Sequence, residues 1–251
     1  MKTMIKFLTA LVLSSVAWLA GVGSASAASE VKLDTALIVP DDTVSLQAGA
    51  KTFVNYCLNC HSASMVRYNQ LKGIGLNDKE ILENFVFHGG KVGDMMKVAA
   101  NAADQKSWFG VNPPDLSVIA RSRGADWLYT YFKTFYRDPS TPSGWNNTTF
   151  PNVGMPHVLW TLEGTREATV EMKDDGHGHQ MKHLTLSAAK GGTQSVLDYD
   201  KTVVDLVNFL VWMGEPHAHD RKMLGYYVLM ALGVLMLLAY LLKAAYWKDV
   251  H

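Results

Sequence analysis

Cys57-Leu58-Asn59-Cys60-His61 decides how this chain is read, because C-x-x-C-H is the spacing at which a c-type haem is covalently attached. Two thiols add to the vinyl groups of the porphyrin, and the adjacent imidazole becomes the proximal ligand of the iron. The competing readings are a zinc half-site, a redox dithiol and a structural disulfide. A four-ligand zinc site asks for a second Cys/His pair at similar spacing, and the chain has only these 2 cysteines. A thioredoxin-like dithiol belongs beside a βαβ pattern, whereas the residues leading into Cys57 have helical spacing.

Upstream of the motif, Leu46, Phe53, Val54 and Cys57 recur at helical intervals behind Thr43 or Ser45, either of which can cap the helix. Downstream, Asn77-Asp78 opens a helix through Ile81, Leu82, Phe85 and Val86 that Gly89-Gly90 terminates. An aromatic-rich helix is predicted from about Ala125 to Tyr136. Asp198 or Asp200 caps a last one through Val203, Val204, Leu206, Val207, Leu210 and Val211, stopping before Gly214 and Pro216. Ala168 to Leu186 alternates around Asp174-Asp175-Gly176, the pattern of a β-hairpin. Little else reads as strand. The expected fold class is mostly α, a haem domain with long loops able to wrap a flat cofactor.

Two apolar segments frame that domain. Lys2 and Lys6 precede a run from Phe7 to Ala20 and a small-residue ending at Ala25-Ser26-Ala27, so residues 1–27 read as a cleaved signal peptide. Met223 to Leu242 carries no charge and is long enough to cross a bilayer as a helix. Arg221 and Lys222 lead into it, Lys243 and Lys248 follow, and Tyr246-Trp247 sit where an interfacial aromatic belt belongs. The expected organisation is one exported domain at 28–219, a single transmembrane helix at 220–243, and a cytoplasmic tail at 244–251. The exported N-terminal side sets the orientation.

The whole chain is electrically balanced, with 23 basic and 23 acidic side chains. Within 28–219 there are 17 Lys and Arg against 21 Asp and Glu, a net of −4. A mildly acidic exported domain excludes nucleic-acid binding by charge and leaves room for a basic protein partner.

A haem held by one histidine needs its sixth position settled. A thioether opposite the imidazole raises the reduction potential and suits electron transfer, whereas an open position admits ligands or oxygen. Among 12 methionines, Met155 stands out, because Pro151-Asn152-Val153-Gly154-Met155-Pro156 is a loop that holds backbone and side chain in one place. Met65 lies too close behind the motif, Met95 and Met96 occupy a charged stretch, and Met172 and Met181 fall in the hairpin. Met155 is the expected ligand, with His157 as its local competitor. His177, His179 and His183 sit on a polar turn and read as a solvated loop rather than a metal site.

The chain resembles the cytochrome c1 family of the cytochrome bc1 complex, in a proteobacterial form. Besides Cys57 to His61, the resemblance is carried by Asn112-Pro113-Pro114-Asp115-Leu116-Ser117, Arg121-Ser122-Arg123, Gly154-Met155-Pro156, Glu215-Pro216, and Arg221-Lys222 directly before the C-terminal anchor. Their order and spacing span nearly the whole mature chain. The resemblance implies a cytochrome c-like fold with one haem c attached through Cys57 and Cys60, His61 and Met155 as axial ligands, and Pro114 lining the haem crevice. It also implies Arg123 as partner of a haem propionate, a pairing that suits a guanidinium; Arg121 is the weaker candidate. The chain departs from many relatives at Trp127, where they carry a tyrosine near a propionate. It departs again at Met155, which is followed directly by Pro156 where some relatives read Met-Ala-Pro.

The function implied is one-electron transfer from the Rieske iron–sulfur protein to a soluble cytochrome c. The protein would act beside cytochrome b in a dimeric complex of the bacterial inner membrane, with the haem domain in the periplasm and no enzymatic activity of its own. The alternative from the residues is a membrane-anchored haem enzyme or ligand sensor with an accessible iron and His157 on its distal side.

Overall fold

The computed structural model describes residues 32–174 and 180–248. The segment 1–27 expected to be a signal peptide, the tail end 249–251, and His177 and His179 lie outside the described residues, as does the side chain of His183.

Helix α1, Thr43–Thr52, widens into a π-helical turn at Phe53–Cys57 and ends at the motif. Its cap is neither Thr43 nor Ser45 but Asp42, whose carboxylate accepts from the backbone N–H groups of Val44 (3.0 Å) and Ser45 (3.2 Å). An aspartate directly before the first helical residue reaches these orphan donors better than a side chain already inside the turn. Strand β1, Ala63–Arg67, and a 3-10 turn at Tyr68–Ile74 follow. Helix α2, Asp78–Phe85, opens on Asn77 and Glu80, which bond each other's backbone N–H reciprocally. It stops at Val86, before Gly89-Gly90. Strand β2, Met95–Met96, pairs with β1, and Met96 is a fully buried core residue.

Helices α3 (Ala102–Phe109), α4 (Ile119–Arg123) and α5 (Ala125–Lys133) come next. The predicted helix to Tyr136 is cut short at Lys133. Phe135–Arg137 instead forms β3, paired antiparallel with β4, Trp145–Asn147. β-branched Thr134 and the aromatic pair Phe135-Tyr136 fit a pleated strand better than a further helical turn. A short helix α6 (Trp160–Glu163) leads to β5 (Gly164–Thr165), and the hairpin appears as β6 (Ala168–Asp174) paired with β7 (Gln180–Leu186). Strand β8, Lys190–Gly191, closes back on β5.

Helix α7, Val196–Gly214, is the spine of the domain. Its cap is Ser195, which accepts from the Asp198 N–H (3.2 Å), while Asp198 accepts the serine hydroxyl in return (2.7 Å). Ser195-Val196-Leu197-Asp198 is a capping signature one turn earlier than the aspartates at 198 and 200 suggested. Val203, Leu206, Val207, Phe209 and Leu210 are buried on α7, and Phe209 packs its ring 5.5 Å from Phe53. Gly49 on α1 meets α7 so closely that a Cβ there would lie 2.0 Å from the Asp205 carbonyl oxygen. After a three-residue connector, α8 runs from Ala218 to Tyr246, and Asp220–Tyr246 is long and apolar enough to cross a membrane. The architecture is mostly helical, with small two-stranded sheets and long loops on a helical core, and a C-terminal anchor helix.

Candidate functional site

The end of α1 delivers Cys57, Cys60 and His61 into the wall of a single cleft that is also lined by Pro114, Arg123, Tyr131 and Met155. The six residues expected from the sequence to hold a cofactor therefore share one cavity. Most of the rest of the lining is apolar, and Arg123 is the one charged side chain in it among the described residues.

The chemistry of the motif separates its readings. Burial, with Cys60 close by, pushes the Cys57 thiol up to about 12, and burial raises Cys60 as well. Thiols held protonated make a poor redox dithiol, because thiolate is the reactive form. The pair is not joined as a disulfide.

His61 Nδ1 lies 2.7 Å from the Pro114 carbonyl oxygen. A carbonyl only accepts, so Nδ1 carries the proton and the lone pair is on Nε2, the tautomer a metal needs. Burial holds the imidazole below its usual pKa, against the opposing pull of the Pro114 hydrogen bond and the Asp115 charge, and so keeps it neutral near pH 7.

The strap Pro113–Ser117 that presents this carbonyl is fastened at several points. Leu116 N–H donates to the Ser62 carbonyl (2.8 Å). Asp115 accepts from the N–H (2.8 Å) and hydroxyl (2.6 Å) of Ser64 and from the Ser117 N–H (2.9 Å). Partial burial pushes the Asp115 carboxyl up, but the hydrogen bonds from Ser117 and Ser64 outweigh it and hold it below the usual carboxylate range. Because the folded pKa is the lower one, this stabilisation is complete above the ordinary carboxylate range and is lost as pH falls through the folded value. Asp115→Asn is expected to cost about 1 kcal/mol at pH 7, solvent screening included, and to flatten the acid limb of a stability–pH curve. Denaturant unfolding between neutrality and acid checks this, and parallel curves for the two proteins would count against it. From the other side, Gln105 on α3 donates to the Cys60 carbonyl (2.8 Å).

Met155 is carried by a loop built on two buried asparagines from β4. Asn147, fully buried, accepts from the N–H groups of Thr149 (2.8 Å) and Phe150 (3.0 Å) and donates to the Tyr131 carbonyl (2.8 Å). Asn146 accepts from the N–H of Asn152 (2.8 Å), the one non-glycine residue with a left-handed backbone among those described (φ 60°). The Met155 sulfur in turn receives the Tyr131 hydroxyl at 3.3 Å.

His157, the expected competitor, turns away from the cleft. It is 2 % exposed, stacks on Phe135 (4.9 Å between ring centres), and donates from Nε2 to the equally buried Glu163 (2.8 Å). Arg166 occupies the other carboxylate oxygen. This leaves His157 no part at the distal side. Arg121 also departs, toward Gly214 on α7. Arg123 holds its guanidinium over Trp127 (4.9 Å) and Phe150 (5.8 Å), which orients it in the cleft. Trp127 is the ring type that stacks best with a guanidinium. Met65 is exposed, and neither it nor Met95 or Met96 lines the cleft.

These residues fit a haem. The set offers two thiols, a neutral imidazole with a free lone pair, a soft thioether, apolar walls, and one fixed cation for an acidic edge.

Sequence comparison gives the same direction. Residues 38–250 match the Cytochrome C1 family. The chain is 48 % identical over 248 residues, 99 % of each chain, to a protein of Nitrosomonas europaea named ammonia monooxygenase gamma subunit. It is 46 % identical over 220 residues to cytochrome c1 of Allochromatium vinosum, covering 87 % of this chain and 90 % of that one. With cytochrome c1 of Rhodospirillum rubrum it shares 30 % identity over 234 residues, 83 % of each.

Proposed function

Because the chain belongs to the cytochrome c1 family, we propose that it is the one-electron carrier of a quinol–cytochrome c oxidoreductase, taking electrons from the Rieske iron–sulfur protein and passing them to a soluble cytochrome c. When bound, a haem c supplies the reversible ferric/ferrous couple. Cys57 and Cys60 would hold it covalently, and His61 and Met155 would ligate its iron. Arg123 would meet a propionate, and Pro114 keeps the His61 proton on Nδ1. Apolar walls exclude water and favour the less charged, reduced state. The observation that carries this reading is the convergence of thiols, imidazole, thioether and a single cation on one cleft.

The same reading assigns residues 1–27 to export, 28–219 to the periplasm, 220–243 to the inner membrane and 244–251 to the cytoplasm. Cytochrome b and the iron–sulfur subunit are its neighbours in a dimeric complex. The protein makes and breaks no bonds of its own. The alternative of a sensor or oxygen-using enzyme loses its distal residue, since His157 is committed to Glu163.

A second reading comes from the Nitrosomonas relative, whose name and near full-length identity suggest the same carrier serving a monooxygenase. One experiment separates the two. The protein is purified from native membranes in mild detergent, quinol is added, and haem c reduction is followed with and without a quinol-site inhibitor. Inhibitor-sensitive reduction with b-type haem and an iron–sulfur protein co-purifying is the expected result. Oxygenase subunits co-purifying in their place, without quinol reduction, would favour the second reading.

A further inference from the structure

We infer that Tyr131 is a positioning residue for the thioether, and that its hydroxyl sets how strongly Met155 donates to iron. The inference rests on the Met155 assignment above and goes one residue beyond it. The Tyr131 hydroxyl lies 3.3 Å from the Met155 sulfur, inside a shell of rings: Trp127 stacked at 5.0 Å and 10°, Phe135 edge-on at 5.0 Å, and Phe132 edge-on at 5.5 Å.

A buried phenol ordinarily finds a strong acceptor. Two nearby tyrosines do so. Tyr129 donates to the Asp200 carboxylate at 2.5 Å and Tyr199 to the Phe132 carbonyl at 2.8 Å. Tyr131 spends its donor on sulfur, a weak acceptor. Phenylalanine would keep the ring contacts without burying a hydroxyl, so packing does not account for the tyrosine. Sulfur has two lone pairs. A proton directed at one of them draws electron density from the other and weakens it as a donor. Ferric iron, the more charged state, loses more from a weaker donor than ferrous iron does. The hydroxyl therefore favours the reduced state, in the way outer hydrogen bonds tune other metal ligands.

Tyr131→Phe tests this in the complete, haem-loaded protein in native membranes. The expected result is attached haem, a retained sulfur-to-iron charge-transfer band, and a ferric/ferrous equilibrium shifted about threefold to tenfold toward ferric, the scale of one net hydrogen bond; tenfold corresponds to about 59 mV for one electron. Added imidazole should then bind the ferric protein more weakly, because the thioether it must displace holds better. A purely structural hydroxyl predicts the reverse, a loosened loop and tighter imidazole binding, and that result would overturn the inference. So would an unchanged potential, or loss of attached haem. Met155→Leu, run in parallel, tests the underlying assignment separately. If it leaves the band and potential intact, Met155 is not the ligand, whatever Tyr131→Phe does.

Discussion

Alanine at position 49 is expected to destabilise the haem domain by about 3 kcal/mol, a fall in Tm of roughly 6–12 °C for a domain of this size. Glycine normally weakens a helix, and an alanine in its place would gain about 1 kcal/mol in helix propensity. Packing reverses the sign here. The added methyl would lie 2.0 Å from the Asp205 carbonyl oxygen and 2.7 Å from Phe209 Cβ. Backbone on a 19-residue helix cannot rotate aside as a flexible side chain does, so α1 and α7 must separate along the core that includes Phe53 and Phe209. Gly93, where a Cβ would meet nothing within 4 Å, is the control. Thermal unfolding of G49A and G93A in detergent checks the expectation, and equal midpoints for the two would refute it. Because α1 ends at the cysteine motif, the same strain should lower haem occupancy.

Asn147→Ala is the second change with a large expected effect. It removes an acceptor for the N–H groups of Thr149 and Phe150 and a donor to the Tyr131 carbonyl, all at a fully buried position. Buried polar groups left without partners cost about 1–3 kcal/mol each, and water entering the gap recovers part of that. A net loss of about 3 kcal/mol is expected, concentrated in the loop from Thr148 to Met155. The functional signature is a ferric iron that binds imidazole more than tenfold more tightly, since the thioether would be held by a loosened loop. Imidazole titration of the oxidised protein reads this directly, and wild-type affinity would show that the loop is held by other means. The opposite directions expected for Asn147→Ala and Tyr131→Phe separate loss of support from gain of donor strength.

That Cys57, Cys60, His61 and Met155 line one cleft, and that a long apolar helix closes the chain, was legible because each depends on local chemistry: a fixed spacing, a Pro/Gly-bounded loop and an uninterrupted apolar run. Cap positions were less so. Asp42 and Ser195 were displaced in favour of neighbours, although Ser195-Val196-Leu197-Asp198 carries a readable signature. Beyond Lys133, helical periodicity in the aromatics could not reveal the strand pairing of Phe135–Arg137 with Trp145–Asn147, which is a long-range outcome. His157 illustrates the limit for the site. It lies two residues from the thioether, and only buried Glu163, held in turn by Arg166, shows why it faces away. Tyr131 and Asp115 could not be singled out because each is tied to the site through long-range hydrogen bonding, Tyr131 to Met155 and Asp115 to Ser64. A hint was present in Trp127 and Tyr131, spaced four apart on one helical face.

The connector between α7 and α8 is only Glu215, Pro216 and His217, and Arg221 pairs with Glu215 across it. Three extended residues span roughly 10 Å, so the domain that carries the cleft stands on a short stalk and cannot swing far from the head of α8. A 29-residue helix is roughly 43 Å long against a hydrocarbon core of about 30 Å, so the stalk's end is itself held near the membrane surface. The cleft is therefore tethered, and any molecule that exchanges with it has to supply the motion by coming to it.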